Sequence, residues 1–166
     1  CLAWGRLWLG LSVANQPVRR TGPGLDAVLR RIRDSAVTVG IHSDAGQHDD
    51  AGMTVAQLGA IHEYGSEAAH IPERSFLRST MAKNRKKYRD NIAKIVDSAL
   101  KGKRDARDGM GLLGRQAEGD VKKTIRDLKD PPNAPSTIAQ KKGADNPLID
   151  TGQMLNSVRW KYEGES

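Results

Sequence analysis

Residues 25–42, LDAVLRRIRDSAVTVGIH, change their hydrophobic period in mid-stretch. Leu25, Val28, Leu29 and Ile32 fall at i, i+3, i+4 and i+7, the apolar stripe of a helix over residues 24 to 34. From Val37 the period becomes two: Val37, Val39 and Ile41 alternate with Thr38, Gly40 and His42, the pattern of a half-buried strand. A second alternation lies near the end of the chain, where Val158, Trp160 and Tyr162 are interleaved with Arg159 and Lys161. These strands are expected to pair. With helical segments between them, the fold class is α+β: a small antiparallel sheet packed against long helices. Two strands are marginal by themselves, so a third is expected from the proline-rich segment or from a neighbouring subunit.

Between the strands, residues 43–52 (SDAGQHDDAG) are small and acidic without periodicity, and read as a loop. Thr54 followed by Gln57 is a capping box, with Met53 placed to staple onto Leu58. Val55, Leu58 and Ile61 form the stripe of the helix that follows, and Gly65 supplies its stop. Pro72 breaks the chain before a long helical block carrying Leu77, Met81, Tyr88, Ile92, Ile95 and Ala99. Gly102 interrupts that block. Met110, Leu113, Ala117, Val121, Ile125 and Leu128 resume it, in a helix weakened by Gly109, Gly111, Gly114 and Gly119. Each glycine costs about 1 kcal/mol against alanine, so this helix needs packing partners.

Residues 130–147 (DPPNAPSTIAQKKGADNP) hold four prolines and read as an extended, mobile arm. Beyond them Asp150 and Gln153 repeat the cap-and-box pattern ahead of a short helical turn. Residues 24–166 are expected to form one domain, at a length that buries a sufficient core without disulfides or metal. Residues 1–23 precede it as an apolar arm (LAWGRLWLGLSV over 2–13). Packing on its own domain or a neighbour is preferred for that arm over a leftover secretory core or a lipid-modified Cys1.

Composition narrows the function. The single cysteine excludes an intramolecular disulfide and a cysteine-rich zinc module. No apolar run nears the roughly 18–20 residues of a membrane span. Aromatic residues make up 4%, too few for a platform on which nucleic-acid bases stack. The 166 residues carry a formal charge of +7, and the stretch from Arg74 to Lys129 holds 17 Lys and Arg against 7 Asp and Glu. Its densest patch is Lys83, Arg85, Lys86, Lys87 and Arg89, beside the apolar stripe and not on it. That patch is either a solvated face, a salt-bridging surface, or one that meets phosphates without sequence preference and with strong salt sensitivity.

Catalytic constellations are weaker. Asp150-Thr151-Gly152 is the triplet of retroviral-type aspartic proteases, but only 14 residues follow Gly152, too few for that fold. Asp150 is expected to serve as a helix N-cap instead. His42, His48, His62 and His70, with Asp44, Asp49, Asp50 and Glu63, lack metal-ligand spacing. No group of residues supplies nucleophile, base and orienter together, so no enzyme and no cofactor are expected.

Several stretches taken together carry a resemblance. They are the strand Val37-Thr38-Val39-Gly40-Ile41-His42, the helix end His62-Glu63-Tyr64-Gly65, and Ile71-Pro72-Glu73-Arg74-Ser75-Phe76-Leu77-Arg78. Pro131-Pro132-Asn133-Ala134-Pro135-Ser136-Thr137-Ile138-Ala139 and Pro147-Leu148-Ile149-Asp150-Thr151-Gly152-Gln153-Met154-Leu155-Asn156-Ser157-Val158 follow in order. The pattern, over roughly residues 25 to 163, resembles the tail-completion or neck proteins of tailed bacteriophages, including lambdoid tail components, minor tail protein Z and Mu-like virion-morphogenesis proteins. The resemblance implies a non-enzymatic virion protein of the head–tail junction, assembled in the host cytoplasm as a homo-oligomeric ring, often a hexamer. Its implied partners are copies of itself, head-connector and tail-tube or terminator proteins, and packaged DNA met non-specifically, with no membrane. The motif residues His62, Glu63, Tyr64, Gly65, Pro72, Arg74, Phe76, Leu77, Asp150, Thr151 and Gly152 would then be structural, with Phe76 and Leu77 anchoring a helix start in the core. The 130–147 arm would drape over a neighbour, and the 83–89 cluster would face a DNA-filled lumen. The alternative is a stand-alone, sequence-independent nucleic-acid-binding protein that uses the same cluster.

Overall fold

In the computed structural model, which describes residues 24–48, 52–141 and 145–164, the change of period at Val37 is a change of element. Helix α1 (Leu25–Arg33) leads into strand β1 (Ala36–Ile41). Helices α2 (Val55–Tyr64), α3 (Leu77–Leu100) and α4 (Ala106–Asp127) follow. Two short helices, α5 (Pro135–Gln140) and α6 (Gln153–Ser157), precede strand β2 (Val158–Glu163). The strands pair antiparallel as expected, from Ala36 opposite Glu163 to Ile41 opposite Val158. The class is therefore α+β. Among the described residues the sheet has two strands, and the described part of the 130–147 segment adds none. The arm over 1–23, and Asp49 and Asp50, lie outside the described residues.

A two-stranded sheet is marginal alone, and α4 supplies what it lacks by packing against both strands. The glycines of α4 make the close approach possible. A Cβ on Gly114 would sit 2.6 Å from Trp160 Cε3 on β2, and one on Gly109 would sit 2.6 Å from Ile95 Cγ2 on α3. The cost of these glycines in helix propensity is offset by ring and methyl packing that a larger residue would block. Beyond them, Val121 and Ile125 join Val55, Phe76, Leu148, Met154 and Val158 in the buried core. Met81 and Leu128 of the sequence stripes pack against it.

Helix α1 forms where its periodicity places it, yet buries no residue fully; Leu25 is 59% and Leu29 46% exposed. The core thus lies toward the C-terminal half of α4, and the described residues cover the α1 side thinly.

The segment 130–147 corrects an expectation. It holds a helix, α5, that begins with Pro135 in its first turn, where the missing N–H costs nothing. It is also fastened to its own domain. Asn146 Nδ2 donates to Arg126 O (2.9 Å) at the end of α4, and Leu148 N donates to Asn146 Oδ1 (3.0 Å). Lys141 Nζ donates to Asn146 O (3.2 Å) and Ile149 O (2.9 Å). The described part of the segment is a clasp on its own domain.

Candidate functional site

The capping box at Thr54 forms as read. Gln57 N donates to Thr54 Oγ1 (3.2 Å), and Thr54 N donates to Gln57 Oε1 (2.8 Å). Helix α2 then ends at Gly65, whose φ of 75° is a left-handed conformation that a side chain rarely adopts. A Cβ there would also meet Glu73 N at 2.9 Å. The chain reverses through residues 66–71, paired by Ser66 N to Ile71 O (2.8 Å) and Ile71 N to Ser66 O (2.9 Å). It returns alongside α2, where Arg74 N donates to His62 O (2.8 Å).

This return sets Glu63 at the start of α3. The first turn of any helix leaves backbone N–H groups without intrahelical partners. Phe76, at the N-cap position of α3, has no capping side chain. Glu63 supplies the cap from the neighbouring helix. Its Oε2 accepts from Phe76 N (2.9 Å) and Leu77 N (2.8 Å), and its Oε1 accepts from Arg78 N (2.9 Å), Ser75 Oγ (2.8 Å) and Arg78 Nε (3.0 Å). Glu63 is 4% exposed. Burial alone would raise its pKa, but these donors outweigh burial and hold it below the ordinary carboxylate value. Arg78 also pairs with Glu73 (2.8 Å) and lies 4.5 Å over the Tyr64 ring. Phe76 is buried and Leu77 packs on the core.

Arg74 performs the matching task toward the proline-rich segment. Only 5% exposed, it donates from Nε to Pro131 O (2.9 Å) and from Nη2 to Pro132 O (2.8 Å). Asn133 beside these prolines is buried and donates to Asn146 O (3.4 Å). Three motif stretches, distant in sequence, therefore meet. His62, Pro72, Arg74, Asp150, Thr151 and Gly152 all line one cavity of about 650 Å³.

The chain matches no family model, no curated protein and no solved structure.

Asp150 does not cap α6, contrary to expectation. Gly152 occupies the N-cap position with φ 82°, and no side chain accepts there in the manner of a cap. Thr151 Oγ1 instead accepts from Gln153 N (3.3 Å), and Gln153 Nε2 donates across to Gln47 O (2.9 Å). The helix starts at Gln153, so Gly152 and not Asp150 stands at its N-cap. Exposed Asp150 lies on the rim of the cavity, near enough to Lys141 to favour its charge.

His62 is the titratable group this arrangement perturbs most visibly. Burial, reinforced by Arg74 and Lys141, lowers its imidazole from 6.5 to about 4. Its Nδ1 is buried, and no described residue hydrogen-bonds to it. A base whose folded pKa is depressed stays neutral in the native state while the unfolded chain takes up the proton. Its stabilising contribution is thus present above 6.5 and lost as pH falls toward 4. Denaturant titrations between pH 7 and pH 4 are expected to show this loss, and His62→Phe to flatten it. An unchanged pH slope in His62→Phe would contradict the assignment.

The cationic patch is separate from the cavity. Lys83, Arg85, Lys86, Lys87 and Arg89 are all exposed on α3. Lys86 pairs with Asp90 (2.9 Å) and Lys87 with Asp120 (2.7 Å), which also accepts from Tyr88 Oη (2.9 Å). No described carboxylate lies within ion-pair distance of Lys83, Arg85 or Arg89. Among the described residues no group of His, Cys, Asp or Glu is arranged to hold a metal ion, and no helix is long and apolar enough to cross a membrane. Sequence reasoning overlooked Lys141 and Asn146. The signal was a lysine and an asparagine within an otherwise breaker-rich segment.

Proposed function

We propose that this chain is a structural, non-catalytic subunit of the head–tail joint of a tailed-phage virion, working as a ring of identical copies. The observation that carries the proposal is the use to which the motif residues are put. The carboxylate of Glu63 and the Nε and Nη2 donors of Arg74 hold α2, α3 and the 131–134 segment together, a structural use of the charged motif residues. That is what a load-carrying joint between segments requires, and it agrees with the resemblance of the motifs to neck proteins. Copies that use two different patches, related by a rotation that closes, form a ring. The exposed α3 cations Lys83, Arg85 and Arg89 suit the wall of a channel through which DNA passes, where attraction must be weak and indifferent to sequence. Head-connector and tail-tube or terminator proteins are the neighbours this role assigns.

Sedimentation velocity combined with duplex titration at two salt concentrations tests the proposal. Assembled chain is expected, with weak duplex binding. Replacing Lys83, Arg85 and Arg89 by Gln should flatten the log–log salt dependence by up to about 3, since each phosphate contact contributes a slope near 0.9. A chain that stays monomeric and binds duplex tightly would support the alternative, a stand-alone nucleic-acid-binding protein.

A further inference from the structure

The cavity beneath the 66–71 turn has a charge balance that the structural role of its residues leaves unexplained. Arg74, Lys141, His48, His62 and His70 line it, and among the described lining residues Asp150 is the one acid. Arg74 is almost wholly buried, yet no described carboxylate forms an ion pair with it or with Lys141. A buried cation without a counter-charge is costly, and proteins ordinarily supply an acid partner. Here both cations are held in place by neutral carbonyls: Pro131 and Pro132 for Arg74, Asn146 and Ile149 for Lys141. A guanidinium has five donors and an ammonium three, so both retain N–H groups beyond those the carbonyls accept.

We propose that this cavity is a binding site for an oxyanion, a carboxylate or phosphate group bound between Arg74 and Lys141. The positions of the two cations are fixed before a ligand arrives, which reduces the ordering cost of binding. Leu58, Ile71, Pro72, Leu148 and Met154 form apolar walls. They lower the local dielectric and strengthen attraction to an entering anion. A volume of about 650 Å³ suits a small molecule or the acidic end of a peptide. His62 shares the cavity, so an anion placed there offsets the two cations that disfavour its protonation; binding should be coupled to proton uptake at His62. Asp150 at the rim and His48 and His70 on the walls are the other titratable groups facing the site. This inference rests on the chemistry of the cavity and does not depend on ring assembly.

The test is a titration of the full chain, at constant ionic strength, with succinate, with inorganic phosphate and with sodium chloride. It is followed through the imidazole NMR signals of His62. Saturable shifts with succinate or phosphate, and a rise of the His62 pKa from about 4 toward its ordinary value, are expected. Saturation by succinate alone assigns the site to carboxylates, and by phosphate alone to phosphates. Lys141→Gln, which removes a cation and leaves the Arg74 bonds to Pro131 and Pro132 in place, should weaken binding at least tenfold, and Arg74→Gln should abolish it. No saturable response, a response matched by chloride, or full affinity in Lys141→Gln would overturn the proposal.

Discussion

Glu63→Ala is expected to lower the unfolding free energy by about 4 kcal/mol, measured by urea denaturation near pH 7. The substitution removes a buried carboxylate that accepts from three backbone N–H groups at the start of α3. Each buried donor left unpaired costs about 1–3 kcal/mol, and breaking a buried charged pair from one side costs about 3–5 kcal/mol. These penalties overlap, because Arg78 is half exposed and water can replace its lost partner. Glu63→Gln keeps the shape and can still accept, so about half the loss is expected. The pH dependence has a defined sign. The folded-state pKa of Glu63 lies below its unfolded value, so the cap stabilises above the unfolded value and is lost as pH falls through the folded one. Glu63→Ala should therefore also be less sensitive to acid in that window. A loss under about 1 kcal/mol would mean that α3 is held by packing alone.

Gly114→Val is expected to cost a similar amount, about 4 kcal/mol, by overpacking the contact between α4 and the sheet. The missing Cβ leaves space for the Trp160 indole. An added carbon would lie 2.6 Å from Cε3, 2.8 Å from Cδ2 and 3.0 Å from Cγ, all in the body of a rigid ring. Trp160 cannot withdraw freely, since its backbone is paired opposite Val39 and its N–H donates to Glu118 Oε2 (3.0 Å) on α4 itself. Gly114→Ala is expected to cost about 2 kcal/mol, because the gain in helix propensity of about 1 kcal/mol offsets part of the clash. Gly119 provides the contrast. It is exposed in the same helix with nothing near its Cβ position, so Gly119→Ala should stabilise by up to about 1 kcal/mol. Thermal melts of the three variants check the order Gly119→Ala above the parent, then Gly114→Ala, then Gly114→Val. Equal stability of the two alanine variants would contradict the packing described for Trp160.

These residues also mark how far the sequence could be read. Periodicity is a local property, so the shift from 3.6 to 2 at Val37, the stripes of α3 and α4 and the Thr54 box were all legible. Pairing of the two strands followed from the scarcity of other candidates. What escaped depends on contacts across space. Gly114 reads as a weakness until Trp160 is seen against it. Glu63 is one motif residue among several until the 66–71 reversal brings it to another helix. Asp150 fits the capping pattern by residue type, but the left-handed Gly152 occupies the position that the pattern assigns to Asp150. Four prolines suggest an extended, mobile arm over 130–147, whereas Pro135 is suited to the first turn of a helix and starts one. That the described residues leave Leu25 and Leu29 of α1 exposed was equally hidden, because an apolar stripe states what a helix can bury and not what covers it.

The central claim is that identical copies of this chain close into a ring. Native mass spectrometry of the full chain, from nanomolar to high micromolar concentration, measures that directly. One closed species at a single multiple of 18.1 kDa, near six copies, is the expected result. A monomer of 18.1 kDa persisting at every concentration would contradict it.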